Sequence, residues 1–263
     1  VGDLTKRLLS ALVFGPLIVL LFLFLPSKLF LLFLAIVLVM ATFEFASMAR
    51  TADSIVVTLL AAATFIPLYI AATLYPLWLL FSPAIYLMFR MAVPVSAPSS
   101  RSGEIGRSVT VLILAEVFLA LPLFFLYSLK EIDRFLPPVL LLTVWASDTG
   151  AYLLGKSMGR HKLVPLISPK KTYEGLLGAL AGAAFLTLLF KGRLGLTLPV
   201  SIGMGLVIGG LGQLGDILES VAKRACEVKD SSRLIPGHGG LLDRVDSFLL
   251  TAPFMYYYFS GMR

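Results

Sequence analysis

The sequence predicts an all-α, polytopic integral membrane protein with about nine transmembrane helices and a polar cavity facing the cytoplasm. Three observations carry that expectation. Apolar residues make up 58% of the 263 residues and charged residues only 14%, too few to cover a soluble domain of this length. The mean hydropathy is +0.93, and apolar runs repeatedly reach the roughly 18–20 residues that a helix needs to cross a hydrocarbon core. The basic residues, which give a net charge of +7, fall in short loops between those runs.

The runs lie near residues 8–25, 29–49, 54–75, 77–93, 108–129, 136–155, 173–190, 198–224 and 244–260. The opening stretch, "VGDLTKRLLSALVFGPLIVLLFLFLP", has the basic start of a signal peptide. Its apolar run is long for a signal core, Pro16 interrupts it and no small-x-small cleavage site follows, so it reads as a retained first span. Only "LYP" at 74–76 separates the third and fourth runs, where a tight hairpin or a re-entrant element is the alternative to two full spans. With the N-terminus in the cytoplasm, Lys28, Lys130, Arg134, Lys191, Arg193 and Arg263 fall outside and the other sixteen of the 22 basic residues fall inside. The positive-inside rule selects that orientation.

Loop-confined charge argues for membrane topology and against a nucleic-acid stripe. The single cysteine, Cys226, excludes an internal disulfide and a cysteine-based metal site, and reads as an ordinary small side chain. The segment "VPVSAPSSRSGEIG" (93–106) reads as a flexible cytoplasmic linker. It divides an N-terminal transmembrane scaffold with its linker (1–107) from a C-terminal catalytic region (108–263). No internal repeat is visible, and the halves lack the paired interrupted helices of many transporters.

Two polar regions begin inside apolar runs. In "ASDTGAYLLGKSMGRHKLVPLISPKKTYEG" (146–175), Asp148 lies within the sixth run. A carboxylate there is costly and needs a polar cavity with a partner such as a cation. In "GQLGDILESVAKRACEVKD" (212–230), helical spacing puts Asp216, Ser220 and Arg224 four residues apart in turn, with Glu219 and Lys223 repeating that spacing. One face then carries carboxylates nearer the membrane and cations nearer the cytoplasm. The following "PGHGG" (236–240) supplies a backbone able to bend and approach a ligand, and exposed N–H groups among Lys and Arg suit phosphate oxygens. "DRVD" (243–246) adds carboxylates. Carboxylates beside phosphate-binding cations are what a magnesium–polyphosphate site needs.

The stretch "SVAKRACEVKDSSRLIPGHGGLLDRVD" (220–246) resembles the signature of the phosphatidate cytidylyltransferase, or CDP-diacylglycerol synthase, family. It keeps Ser220, Lys223–Arg224, Lys229–Asp230, Pro236, His238–Gly239–Gly240, Asp243–Arg244 and Asp246 at the family's spacing, and the upstream Gly215–Asp216 also fits. The block at 148–175 is similar to a second family block, so the resemblance covers roughly the last 120 residues, with Tyr173 an ordinary variation. The resemblance implies transfer of a cytidylyl group from CTP to phosphatidate, with magnesium as cofactor and a second cation as an option. The implied setting is the bacterial inner membrane, with membrane lipids around the chain, no nucleic-acid partner, and a homodimer left open.

On this resemblance Asp216 and Asp243 are the first metal ligands, with Asp148 and Asp246 next. Lys170, Lys171, Lys223, Arg224, Lys229 and Arg244 are phosphate-binding candidates, joined by Ser220, Asp230, Gly239 and Gly240 in the substrate site. Asp216, Asp243, Asp246, His238 and Lys223 form the catalytic set. His238 either protonates pyrophosphate or only donates hydrogen bonds. His161, between Arg160 and Lys162, reads as a solvated loop residue near anionic headgroups. Glu44 and Glu116 are isolated carboxylates, read as interhelical hydrogen-bond acceptors, while "GALAG" (178–182), Gly205 and Gly209 read as close-packing positions. A transporter would explain buried aspartates but not the clustered lysines and the glycine turn. A CTP-dependent lipid kinase differs in moving the γ-phosphate.

Overall fold

The computed structural model describes residues 15–51, 53–70, 75–92, 101–229, 231–232 and 240–262. Helices dominate: α1 (Gly15–Phe24), α2 (Ser27–Met48), α3 (Ser54–Ala63), α4 (Phe65–Ile70), α5 (Tyr75–Ala92), α6 (Arg101–Ala115), α7 (Leu121–Ile132), α8 (Leu136–Met158), α9 (Tyr173–Leu189), α10 (Lys191–Leu194), α11 (Leu198–Ala225), α12 (Leu242–Val245) and α13 (Phe248–Ser260). Among the described residues, three helical stretches are long and apolar enough to cross a membrane, namely Ser27–Met48, Gly103–Ile132 and Leu198–Ala225.

The chain forms two compact units. The first takes the described residues of Val1–Phe30, Phe125–Arg224 and Asp246–Arg263, and the second those of Leu31–Phe124 and Ala225–Val245.

In the first unit, α8 and α9 pack against each other along almost their whole length because small residues let the backbones touch. A Cβ at Gly150 would overlap the carbonyl of Gly178, and one at Gly182 would overlap that of Ala146. Gly205 and Gly209 let α11 approach α9 as well, where a Cβ at Gly205 would overlap Ala184 and one at Gly209 would press on the Ala179 carbonyl at 3.0 Å. The expected packing role of "GALAG" and these two glycines is therefore met. Thr187 on α9 adds a hydrogen bond to the Ser201 carbonyl at 2.8 Å, so a polar side chain inside the bundle is satisfied across the interface.

At one end of this unit the Arg193 guanidinium meets Asp133, with Nη2 2.9 Å from Oδ2, and lies 4.0 Å from the Phe135 ring centre. That pair ties the α7–α8 turn to the α9–α10 turn. At the other end lie the α8–α9 connection and the C-terminal turns of α11, because the three long helices run antiparallel in sequence.

The α8–α9 connection departs from the all-α expectation. It forms a hairpin of β1 (Lys162–Val164) and β2 (Ser168–Thr172), antiparallel, pairing Lys162 with Thr172 and Val164 with Ser168 around an irregularity. Three and five residues with exposed lysines offer no alternating pattern to read, and local hydrogen bonds define the turn instead. The Glu174 carboxylate accepts from the His161 ring at 2.6 Å and from the Arg160 amide at 3.1 Å, and Thr172 caps α9 by accepting from the Gly175 amide at 3.1 Å. His161 stays largely exposed but is paired, so it is more than a solvated loop residue.

In the second unit, α6 runs through a π-helical turn at Glu116–Ala120 into α7. Pro122 follows directly; its missing N–H and bulky ring disrupt the α-helical bonding of that turn, and the wider turn accommodates both. Glu116 is fully buried and accepts from Ser82 Oγ on α5 at 2.9 Å, the interhelical bond expected of it. Tyr86 likewise donates to Asp53 at 2.8 Å.

Other sequence expectations change. Residues 101–106 form the first turns of α6, so the flexible linker does not extend through them. The third apolar run breaks at Thr64 into α3 and α4. The ninth run is not one helix either: α12 ends at Val245 and α13 starts at Phe248. At this break Asp246 Oδ1 accepts from the Ser247 amide at 2.7 Å and its hydroxyl at 3.2 Å, offering the backbone a local alternative to the helix. Residues 1–14, with the start of the first expected span, lie outside the described residues.

Candidate active site

The first unit holds a cleft of roughly 330 Å³ at the hairpin end of α8, α9 and α11. Its polar lining comprises Asp148 from α8, Lys170, Lys171 and Thr172 from β2, and Gln213 and Asp216 from α11. Two polar blocks far apart in sequence thus meet in one place. Gly155 and Gly175 complete the floor near Thr172.

Lys171 is the centre of the arrangement. Its ammonium lies 2.7 Å from Asp216 Oδ2 and 3.3 Å from Gln213 Oε1, and the Gln213 amide nitrogen donates to Asp148 Oδ1 at 3.3 Å. Asp148, within the sixth apolar run of the sequence, thereby gains a hydrogen-bonded link to a cation. Lys171 is only 14% exposed, so water screens this pair weakly. Lys170, beside it on the alternate face of the strand, is exposed toward the cleft mouth.

On α11, Asp216–Ser220 and Glu219–Lys223 meet at the predicted four-residue spacing. Ser220 Oγ lies 3.4 Å from Asp216 Oδ1, and Lys223 Nζ lies 2.8 Å from Glu219 Oε2. Arg224 reaches across to the hairpin and donates to the Ile167 carbonyl at 3.3 Å, steadying the strand pair that carries the two lysines.

The α12–α13 break delivers Asp246 to this face. Gly215 makes that approach feasible, since a Cβ there would overlap the Asp246 carbonyl. Asp216, Glu219 and Asp246 then present carboxylate oxygens all within 4.8 Å of one another, and Asp246 also feels the charge of Asp148. Oxygens on opposite sides of an octahedral magnesium ion stand about 4.2 Å apart, so this all-oxygen donor set suits one hard cation after small side-chain rotations.

Sequence reasoning missed Glu219 and Gln213 as members of the site. Each lies three residues from Asp216 on one helix, and that spacing was the available signal.

Lys229, Gly240, Asp243 and Arg244 lie in the second unit, where Asp243 Oδ2 accepts from the Gly240 amide at 3.1 Å and from Ser231 Oγ at 3.3 Å. Gly240 is buried and its N–H is already donated, while Lys229 and Arg244 are exposed. Burial pushes the Cys226 thiol up, against the pull of Arg107, which keeps it a thiol as its ordinary reading requires. Asp230, His238 and Gly239 lie outside the described residues.

A phosphatidate cytidylyltransferase of Staphylococcus aureus (strain COL) is 48% identical over 116 residues, covering 43% of this chain and 45% of that protein. One of Bacillus subtilis (strain 168) is 38% identical over 149 residues, covering 55% of each. One of Staphylococcus haemolyticus (strain JCSC1435) is 46% identical over 116 residues. The matched stretches span about half the length of these curated relatives. The sequence profile of the cytidylyltransferase family extends much further, from residue 5 to residue 262, and by that near-complete match the chain belongs to the cytidylyltransferase family.

Proposed function

We propose that this chain transfers the cytidylyl group of CTP to phosphatidate, releasing pyrophosphate and forming CDP-diacylglycerol. The observation that carries the reading is the Lys171–Asp216 pair in a cleft that also holds Lys170 and Asp148. The names of the bacterial relatives support the same substrates.

A phosphatidate phosphate oxygen attacks the α-phosphorus of CTP, forming one P–O bond, while the bond between the α-phosphorus and the bridging oxygen breaks and its electrons leave with pyrophosphate. The nucleophile is already an anion, so the work is to bring like charges together and stabilise the leaving group. Lys170 and Lys171 bind phosphate oxygens at the cleft, and Lys223 and Arg224 extend the positive surface. Gln213 and Asp216 hold the Lys171 ammonium in place. Lys229, Asp230, Gly239 and Arg244 keep the substrate-binding roles, and His238 the catalytic role, that the family resemblance implies.

Asp216, Glu219 and Asp246 would hold a magnesium ion, with Asp148 adjacent and Asp243 retained from the sequence as a further ligand, leaving room for a second cation. When bound, the cation supplies charge stabilisation to the transferring and leaving phosphates. In this reading residues 108–263 are the catalytic region, residues 1–107 the scaffold, and the cleft opens to the cytoplasm of a bacterial inner-membrane protein with nine spans. Whether the chain is a homodimer stays open and is read by mass measurement in detergent.

The testing experiment is release of pyrophosphate by the purified chain in mixed micelles. Release that needs CTP, phosphatidate and magnesium together supports the proposal. A lipid kinase would instead release CDP.

A further inference from the structure

We propose that Glu44 is a positioning residue for the segment around Asp243, fixing the turn that enters α12 and the groups that follow it; this rests on the cytidylyl-transfer reading. Glu44 sits in α2, a largely apolar helix, and is only 5% exposed. A buried carboxylate is retained only where donors compensate it. Here the donors come from far along the chain. Glu44 Oε1 accepts from Ser232 Oγ at 2.7 Å and from the Leu241 amide at 3.1 Å, and Oε2 accepts from the Leu242 amide at 3.0 Å.

The three bonds hold Ser232 and Leu241–Leu242 on one carboxylate. Asp243 and Arg244, which the family resemblance places in the site, come directly after the second of these anchors. Gly240 fits the same device. A Cβ at Gly240 would overlap Ser231 Oγ and stand 2.6 Å from Glu44 Oε2, so a side chain there would push the segment off its anchor. Asp243 closes the segment from within by accepting from Gly240 N–H and Ser231 Oγ. Glu44 therefore sets where Asp243 and Arg244 stand without touching substrate itself.

The test compares the wild-type chain with Glu44→Gln, Glu44→Asp and Ser232→Ala in detergent. Hydrogen exchange at the Leu241 and Leu242 amides and kcat and KM for CTP per folded molecule are the readouts. Gln places an amide donor against backbone donors, so exchange should speed up and kcat/KM for CTP should fall, each by roughly tenfold or more, with partial recovery in Glu44→Asp. Ser232→Ala removes one donor of three and should show a several-fold loss, which keeps the test valid if Glu44→Gln fails to fold. Unchanged exchange in the folded variants overturns the inference whatever the activity. A lowered melting temperature with unchanged kcat and KM overturns it too, since it marks a structural role alone. Wild-type protein that makes no CDP-diacylglycerol overturns the transfer reading instead, and the exchange result still judges the anchor.

Discussion

The Lys171 ammonium sits 2.7 Å from the Asp216 carboxylate, joining the hairpin before α9 to the middle of α11. A mobile point charge on a flexible stem is held where it can turn between carboxylate and phosphate. The pair brings opposite halves of the proposed chemistry, a cation for phosphate and a carboxylate for metal, to hydrogen-bond distance.

Asp216→Asn should abolish turnover while leaving the protein folded. The isostere keeps shape but removes a charge that a hard cation needs, so the loss should be several kcal/mol of transition-state stabilisation, or roughly a thousandfold in rate. Asp243→Asn should behave likewise if its retained ligand role holds. Glu116→Gln should be much milder, since its carboxylate answers Ser82 inside the second unit. Pyrophosphate release and a thermal melt on each purified variant check all three, and near-normal turnover removes the assigned role.

Glu219→Gln tests the carboxylate trio. Glu219 shares an ion-sized group with Asp216 and Asp246, so its neutral form should move the magnesium midpoint of activity upward by roughly tenfold while saturating magnesium recovers much of the rate. An unchanged midpoint would take Glu219 out of the ligand set.

The α8–α9 interface should be intolerant of bulk. Gly178→Leu would force a side chain into the Gly150 carbonyl and should cost about 1–3 kcal/mol, read as a lower melting temperature. Gly203→Ala faces open space and should change little. Equal melting temperatures for the two variants would contradict the packing account.

The site was partly legible in the sequence for physical reasons. Asp148 inside an apolar run demanded a cation, and helical spacing put Asp216, Ser220 and Arg224, with the Glu219–Lys223 pair, on one polar face. Glu219 and Gln213 were within reach of the same spacing argument. Glu44 was not, because its partners lie at Ser232, Leu241 and Leu242, and no local pattern records a contact over that separation. The hairpin escaped for want of strand periodicity. The break at Asp246 escaped because hydropathy averages over a local hydrogen bond that stops a helix.

Orientation carries its own test. Cysteines placed at Arg160 and Lys223, at the cleft end of the first unit, should react with an impermeant reagent only after cells are opened. A cysteine at Arg193, at the opposite end, should react from outside. External labelling at Arg160 would reverse the topology and the proposed cytoplasmic access of CTP.

Transfer of label from CTP to lipid tests the central claim most directly. Purified chain incubated with phosphatidate, magnesium and CTP labelled in the α-phosphate should yield labelled CDP-diacylglycerol, whereas label in the γ-phosphate should appear only in pyrophosphate. Lipid labelled from the γ position and not the α position would contradict cytidylyl transfer and assign the chain a kinase reaction.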